Sequence, residues 1–187
     1  MSRISQTSVG NFKVTALRDG ELSLPSDVLI NLSDEQSQQI KADENSKLAT
    51  SNVNAYLIQT EGKNLLIDSG CRDLFGPTCG FLQDALKEAG LEPNDITDLF
   101  LTHLHPDHVA GAINGEGSAV FENASFKVID LEYNFWTSDT FTDSEVNGND
   151  WAGLARAALN AYDDKIETIS FGKDIIPGVT SVSIPGH

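Results

Sequence analysis

Basic side chains are scarce in this chain, with 12 Lys and Arg against 28 Asp and Glu and a formal net charge of −16. That balance excludes a nucleic-acid partner, because a phosphate backbone is gripped by clusters of Lys and Arg. It equally disfavours an anionic membrane surface. No run of eighteen apolar residues occurs, so no segment is read as membrane-spanning. The opening Met1-Ser-Arg-Ile-Ser-Gln-Thr-Ser8 has no apolar h-region, so no signal peptide is read and a cytoplasmic protein is expected. Cysteine is nearly absent. Cys71 and Cys79 are too few for a four-cysteine zinc site, and in a reducing compartment they are expected as two free thiols in a Gly/Pro-rich loop. A Gly-x-Ser-x-Gly elbow is missing too, so no serine nucleophile is expected.

The 187 residues, 40% of them apolar, fit one domain over residues 1–187 with a real core. Residues 12–17 alternate like a half-buried strand and run into Asp19-Gly20, a hairpin signal. Ser33 and Gln36 form a capping-box pattern that opens a polar helix through about residue 47. Residues 53–58 and 64–68 read as a hairpin turning at Glu61-Gly62. Phe81, Leu82, Ala85, Leu86 and Ala89 share one helical face, with Gly90 at the C′ position. Residues 96–101 and 126–129 are short apolar strands; Trp151, Leu154, Ala158, Leu159 and Tyr162 recur at helical spacing. Two further strands are expected at 165–169 and 179–184. Strands alternating with helices predict a layered α/β domain.

The chemistry concentrates in His103-Leu104-His105-Pro106-Asp107-His108, which holds three of the four histidines. His103 and His105 are two apart, so in extended chain both imidazoles point one way. Pro106 ends the extended stretch, and the turn after it swings Asp107 and His108 towards the same space. Three imidazoles and a carboxylate suit Zn²⁺ and other borderline divalent ions.

This run resembles the His-x-His-x-Asp-His signature of the metallo-β-lactamase superfamily. Leu66-Ile-Asp68-Ser-Gly70 resembles the strand end that supplies a supporting Asp, and Ile184-Pro-Gly-His187 resembles the third, Pro-Gly-His, motif. The resemblance implies the N-terminal part of an αββα sandwich. It implies one metal on His103, His105 and His187, and a second on Asp107 and His108. Two divalent ions are then expected, zinc first, with Mn, Fe or Co as alternatives. Val9-Gly-Asn-Phe-Lys-Val-Thr-Ala-Leu-Arg-Asp-Gly20, Val53-Asn-Ala-Tyr56, Leu74-Phe-Gly-Pro77 and Asn134-Phe-Trp136 look like the methyl parathion hydrolase-like branch. That branch implies a binuclear hydrolase of small-molecule esters, lactones or phosphotriesters, and a homodimer is left open.

In such a site a metal lowers the pKa of its bound water to about 7, and the resulting hydroxide attacks carbon or phosphorus. Resemblance makes Phe75 and Trp136, and less clearly Trp151, candidates for an aromatic substrate pocket; ordinary core packing is the competing role, and Trp151 reads as core. A glyoxalase II-like thioesterase shares the signature, and a catalytically silent metal-binding half is the reading from another class. Family members continue past the third motif, whereas this chain stops at His187. The resemblance therefore implies an incomplete domain, whose second sheet face is expected to be left bare.

Overall fold

A polar hairpin starts the sheet on which everything else is mounted. In the computed structural model, which describes residues 2–23, 31–42, 50–139, 145–146 and 149–185, β1 (Ile4–Val9) turns at Gly10 into β2 (Phe12–Ser23). β3 (Thr50–Thr60) and β4 (Lys63–Ile67) follow antiparallel, as the Glu61-Gly62 turn predicts. β5 (Asp98–Leu101), β6 (Ser125–Ile129) and β9 (Ile166–Ile169) then add in parallel, giving the order β1-β2-β3-β4-β5-β6-β9. The layered α/β class expected from the sequence is the architecture found.

The parallel strands need crossovers, and helices supply them. The elements between the strands are α1 (Asp34–Ala42), α2 (Leu82–Glu88), α3 (Pro106–Val109), α4 (Asp130–Thr137) and α5 (Trp151–Ala161), with a short hairpin of β7 (Glu145–Val146) and β8 (Asn149–Asp150) before α5. The capping box at α1 is made as expected: the Gln36 amide donates to Ser33 Oγ, and Ser33 N–H donates to Gln36 Oε1. The expected continuation of α1 to residue 47 lies outside the described residues. Leu82, Ala85 and Leu86 of α2, with Ala152, Ala155, Ala158 and Leu159 of α5, pack on Leu57, Leu66, Leu99, Leu101, Phe126 and Val128. Each fully buried leucine here stabilises the fold by roughly 1.5–3 kcal/mol.

The opposite face buries Leu65, Phe100, Ile129 and Ile169 under Ile175 and Ile176. Those last two belong to β10 (Asp174–Ile176), which pairs with β11 (Val179–Thr180). Two expectations are corrected here. The second face is bare only in part: this hairpin covers it over β4 to β9, while Tyr56 of β3 on the same face is exposed. The strand expected over 179–184 is only two residues long, and Val182 and Ile184 beyond it are exposed.

A third correction concerns Asp19-Gly20. The chain does not turn there: β2 runs on to Ser23 through a bulge between Arg18 and Gly20. Thr15, Leu17 and Asp19 face the core before the bulge, and Gly20 and Leu22 after it, so the extra residue switches the parity. Gly20 must be glycine, because a Cβ would stand 2.3 Å from the Thr78 carbonyl oxygen. Asp19 is buried and accepts from the backbone N–H groups of Cys71, Gly80 and Leu82. The sequence feature taken for a turn is an internal anchor for the loop that leaves β4.

Candidate metal centre

The histidine run lies where β5 ends, beside the end of β4, at the carboxyl edge of the parallel strands. Open α/β sheets place their ligand sites at this edge. His103, Leu104 and His105 are extended between β5 and α3, and Pro106 occupies the first turn of α3. Leu104 is fully buried, which by the two-residue alternation puts both histidines on the other side. Their rings are 4.7 Å apart between centroids, and α3 brings the His108 ring to 3.9 Å from His103. The gathering of three imidazoles expected from the spacing is what the chain forms.

Asp68 organises this cluster from the end of β4. Its backbone sits at φ +61°, a left-handed conformation that Asp tolerates better than most residues and that is frequent at functional sites. One carboxylate oxygen accepts from Thr102 N–H, and the Thr102 hydroxyl bonds the same carboxylate. The other oxygen lies 2.8 Å from His108 Nδ1. A carboxylate only accepts, so Nδ1 donates to Asp68 and, without a metal, Nε2 donates to Asp107 Oδ2, 3.2 Å away; a metal on Nε2 would replace that second proton and leave the Nδ1–H tautomer. Burial opposes the charge on His108, but hydrogen bonds and charges from Asp107 and Asp68 outweigh it and raise its pKa to about 10. Burial likewise opposes ionisation of Asp107, and the His108 hydrogen bond and charge hold its carboxyl below the usual range.

The two loops are stitched together by backbone contacts. Ser69 N–H and Ser69 Oγ both donate to the His108 carbonyl, and Gly111 N–H donates to Gly70 O. Gly111 is a required glycine, since a Cβ there would lie 1.9 Å from Ser69 O.

The donor chemistry fits a borderline divalent ion. Imidazoles and a carboxylate lie side by side, and a further carboxylate fixes the tautomer of His108 from behind, as the outer partners of metal-binding histidines do. The arrangement is not that of a formed ion cage: among the described residues no group of three or more His, Cys, Asp or Glu side chains is arranged to hold a metal. His187, the third ligand expected for the first metal, lies outside the described residues.

The aromatic candidates separate. Trp136 is buried in the main core, yet its ring is 6.0 Å from that of His105. Trp151, expected as core, packs against the main core from its edge, half-buried, and its ring also lies 5.2 Å from His105; capping of α5 by Asp150, which accepts from Gly153 N–H, leaves Trp151 as the first helical residue. Phe75 is exposed on the loop after Asp68, and among the described residues the ring contacts to the histidines do not involve it. Glu132 of α4 was not anticipated. Its Oε2 accepts from Leu104 N–H at 3.1 Å and from the Trp136 indole N–H at 2.9 Å.

A family model described as the metallo-beta-lactamase superfamily matches residues 49–182, which holds the whole of this loop system. The chain belongs to the metallo-beta-lactamase superfamily. It is 32% identical over 129 residues to N-acyl homoserine lactonase AiiB of Agrobacterium fabrum, a match covering 59% of this chain and 46% of that protein. Among solved structures, the hydrolase AbOPH of the beta lactamase superfamily superposes with a TM-score of 0.77 at 27% identity, over 93% of this chain and 63% of that one. AidC, a dizinc quorum-quenching lactonase, shares the fold with a TM-score of 0.71 at 24% identity, covering 92% and 63%. The chain spans about half the length of the curated lactonases it matches. Among the described residues no helix is long and apolar enough to cross a membrane.

Proposed function

We propose that this superfamily member is a metal-dependent hydrolase of small molecules, with lactones and carboxylic esters as its substrates. The observation that carries the reading is the His103, His105 and His108 cluster backed by Asp68. A divalent ion, when bound, supplies a Lewis acid that makes hydroxide available at neutral pH and stabilises charge developing on a substrate oxygen. His103, His105 and His187 hold one ion, and Asp107 with His108 takes part in holding a second; zinc suits these donors, and Mn, Fe or Co remain alternatives. Asp68 keeps His108 in one tautomer, and Thr102, 3.1 Å from His103 Nδ1, does the corresponding service for His103. Trp151 and Trp136 wall one side of His105, which favours an apolar acyl or leaving group. Residues 1–187 form a single domain in this reading. The similarity of its runs at residues 74–77 and 134–136 to the methyl parathion hydrolase-like branch supports phosphotriesters as a further substrate class to be tested. The lactonase relatives favour lactones.

One observation supports a second reading, a metal-binding half without activity of its own: among the described residues, which do not include His187, no group of three or more donors is arranged to hold a metal. A single experiment separates these two and the glyoxalase II-like alternative. The full chain is loaded with Zn, Mn or Co, dialysed, analysed for metal, and assayed on lactone, carboxylic ester, thioester and phosphotriester substrates. Metal retention with metal-dependent lactone or ester turnover supports the hydrolase. Retention without turnover supports the silent half, preferential thioester turnover a glyoxalase II-like enzyme, and a chain that holds no metal refutes all three.

A further inference from the structure

We infer that Glu132 is the positioning residue of the His103 and His105 pair. The inference rests on the reading that these histidines hold a metal.

The geometry is unusual in its economy. A single oxygen, Glu132 Oε2, accepts both the Leu104 amide and the Trp136 indole N–H. Leu104 is the residue between the two imidazoles, and its side chain is fully buried. The peptide that Glu132 grips is therefore the one joining His103 to Leu104, and its orientation sets the direction in which both rings leave the chain. The second bond fixes Trp136, whose ring stands against His105. One carboxylate thus ties the backbone between two candidate ligands to the aromatic wall beside one of them.

Its own position is set by the fold. Glu132 and Trp136 are four apart on α4, so they lie on one helical face. α4 begins immediately after β6, which pairs in parallel with β5, the strand that delivers the histidines. The helix cannot shift without moving that strand pair. One hydrogen bond, accepted by a side chain fixed on α4, thus holds the extended stretch between β5 and α3.

Outer partners of this kind typically change metal affinity about 10–100-fold when lost. Glu132→Gln keeps an acceptor oxygen; Glu132→Ala keeps none; Trp136→Phe keeps the ring and drops the indole donor. Two measurements are made on the full chain. The first, without metal, is amide hydrogen exchange at Leu104 together with the ring NMR signals of His103 and His105. The second is zinc affinity by competition with a chromophoric chelator.

Glu132→Ala should speed Leu104 exchange about tenfold or more, the effect of losing roughly 1.4 kcal/mol of protection, and shift both ring signals. It should weaken zinc binding by about 10–100-fold, whereas Glu132→Gln stays within about threefold of the parent in both measurements. Unchanged Leu104 exchange in Glu132→Ala overturns the inference whether or not zinc binds. So does a Gln variant as defective as the Ala variant, which would make charge and not hydrogen bonding the cause. A parent chain that binds neither zinc nor Mn or Co refutes the hydrolase reading, while the exchange and ring signals still decide whether Glu132 orients the pair.

Discussion

Asp68 shows how much a single residue can be asked to do. It adopts a left-handed backbone conformation, receives Thr102 twice and fixes the proton on His108 Nδ1. Asn tolerates the same backbone but presents an amide group where a second acceptor is needed. Asp68→Asn should therefore melt within a few degrees of the parent yet hold zinc about 10–100-fold more weakly, read by chelator competition. Normal affinity would remove Asp68 from the site. The cysteines give the opposite lesson. Both thiols are free and buried: Cys71 Sγ–H donates to Asp19, and Cys79 Sγ–H to the Glu21 carbonyl. Burial first, and then the Asp19 carboxylate, push the Cys71 thiol far up its range, so little thiolate forms. Neither cysteine should react with a thiol reagent over minutes in the native chain, and both should react once it is unfolded in denaturant.

At the scale of elements, what was legible was what is local. The hairpin of β3 and β4, the apolar strands β5 and β6, the capping box at Ser33 and the face of α5 follow from period and turn chemistry within a few residues. The cluster of candidate donors was legible for the same reason, because His103 to His108 lie in one short run. β1 escaped notice because Ser5, Gln6, Thr7 and Ser8 carry no apolar alternation; it is an exposed edge strand held by its register with β2. α4 escaped because Leu131 and Phe135 are exposed and only Trp136 is fully buried, so no apolar stripe marks it. Glu132 followed it out of view, since its bond to Leu104 spans 28 residues. Asp19-Gly20 was misread because the same dipeptide that makes a turn also makes a bulge, and the partner that decides between them, the loop near Thr78, is far away in sequence. Gly20→Ala tests that account. A methyl group would meet Thr78 O and Cys79 Cα, both backbone, at 2.3 and 2.4 Å, so neither can yield cheaply. Overpacking of this kind costs about 1–3 kcal/mol or more, and denaturant unfolding should show a loss of that size. A loss under about 0.5 kcal/mol would mean the bulge relaxes freely.

The whole molecule is strongly acidic, so self-repulsion opposes its compact state, and the few cations it has are placed where they count. Across the second face of the sheet, side chains from four successive strands alternate in sign: Lys63 of β4, Asp98 of β5, Lys127 of β6 and Glu167 of β9. Lys63 Nζ is 2.9 Å from Asp98, Lys127 Nζ is 3.3 Å from Asp98, and Lys127 Nζ is 2.8 Å from Glu167. Asp98 and Lys127 are buried, so this row is a coupling between strands and not a decoration of the surface. Burial alone would raise the Asp98 pKa; the hydrogen bonds of Lys63 and Thr97 and the charges of Lys63 and Lys127 reverse that and lower it. Burial would lower that of Lys127, and Glu167 and Asp98 raise it. A depressed carboxylate adds stability that is complete above its unfolded pKa of about 3.9 and is lost as pH falls through the folded value. A raised lysine adds stability that is complete below about 10.4 and is lost as pH rises through its folded value. The row should thus stabilise the chain on a plateau from about pH 5 to 10 and fail on the acid side first. Removing one partner of a buried pair costs about 3–5 kcal/mol, and the half-exposed Lys63 reduces this to about 2–3 kcal/mol for Asp98→Asn near pH 7. Denaturant unfolding of the metal-free parent and variant between pH 3 and 9 should show two curves separated by that amount at neutrality and converging below about pH 4. Parallel curves across the range would mean that the Asn variant acts through packing, and that the charge row does not hold the strands together.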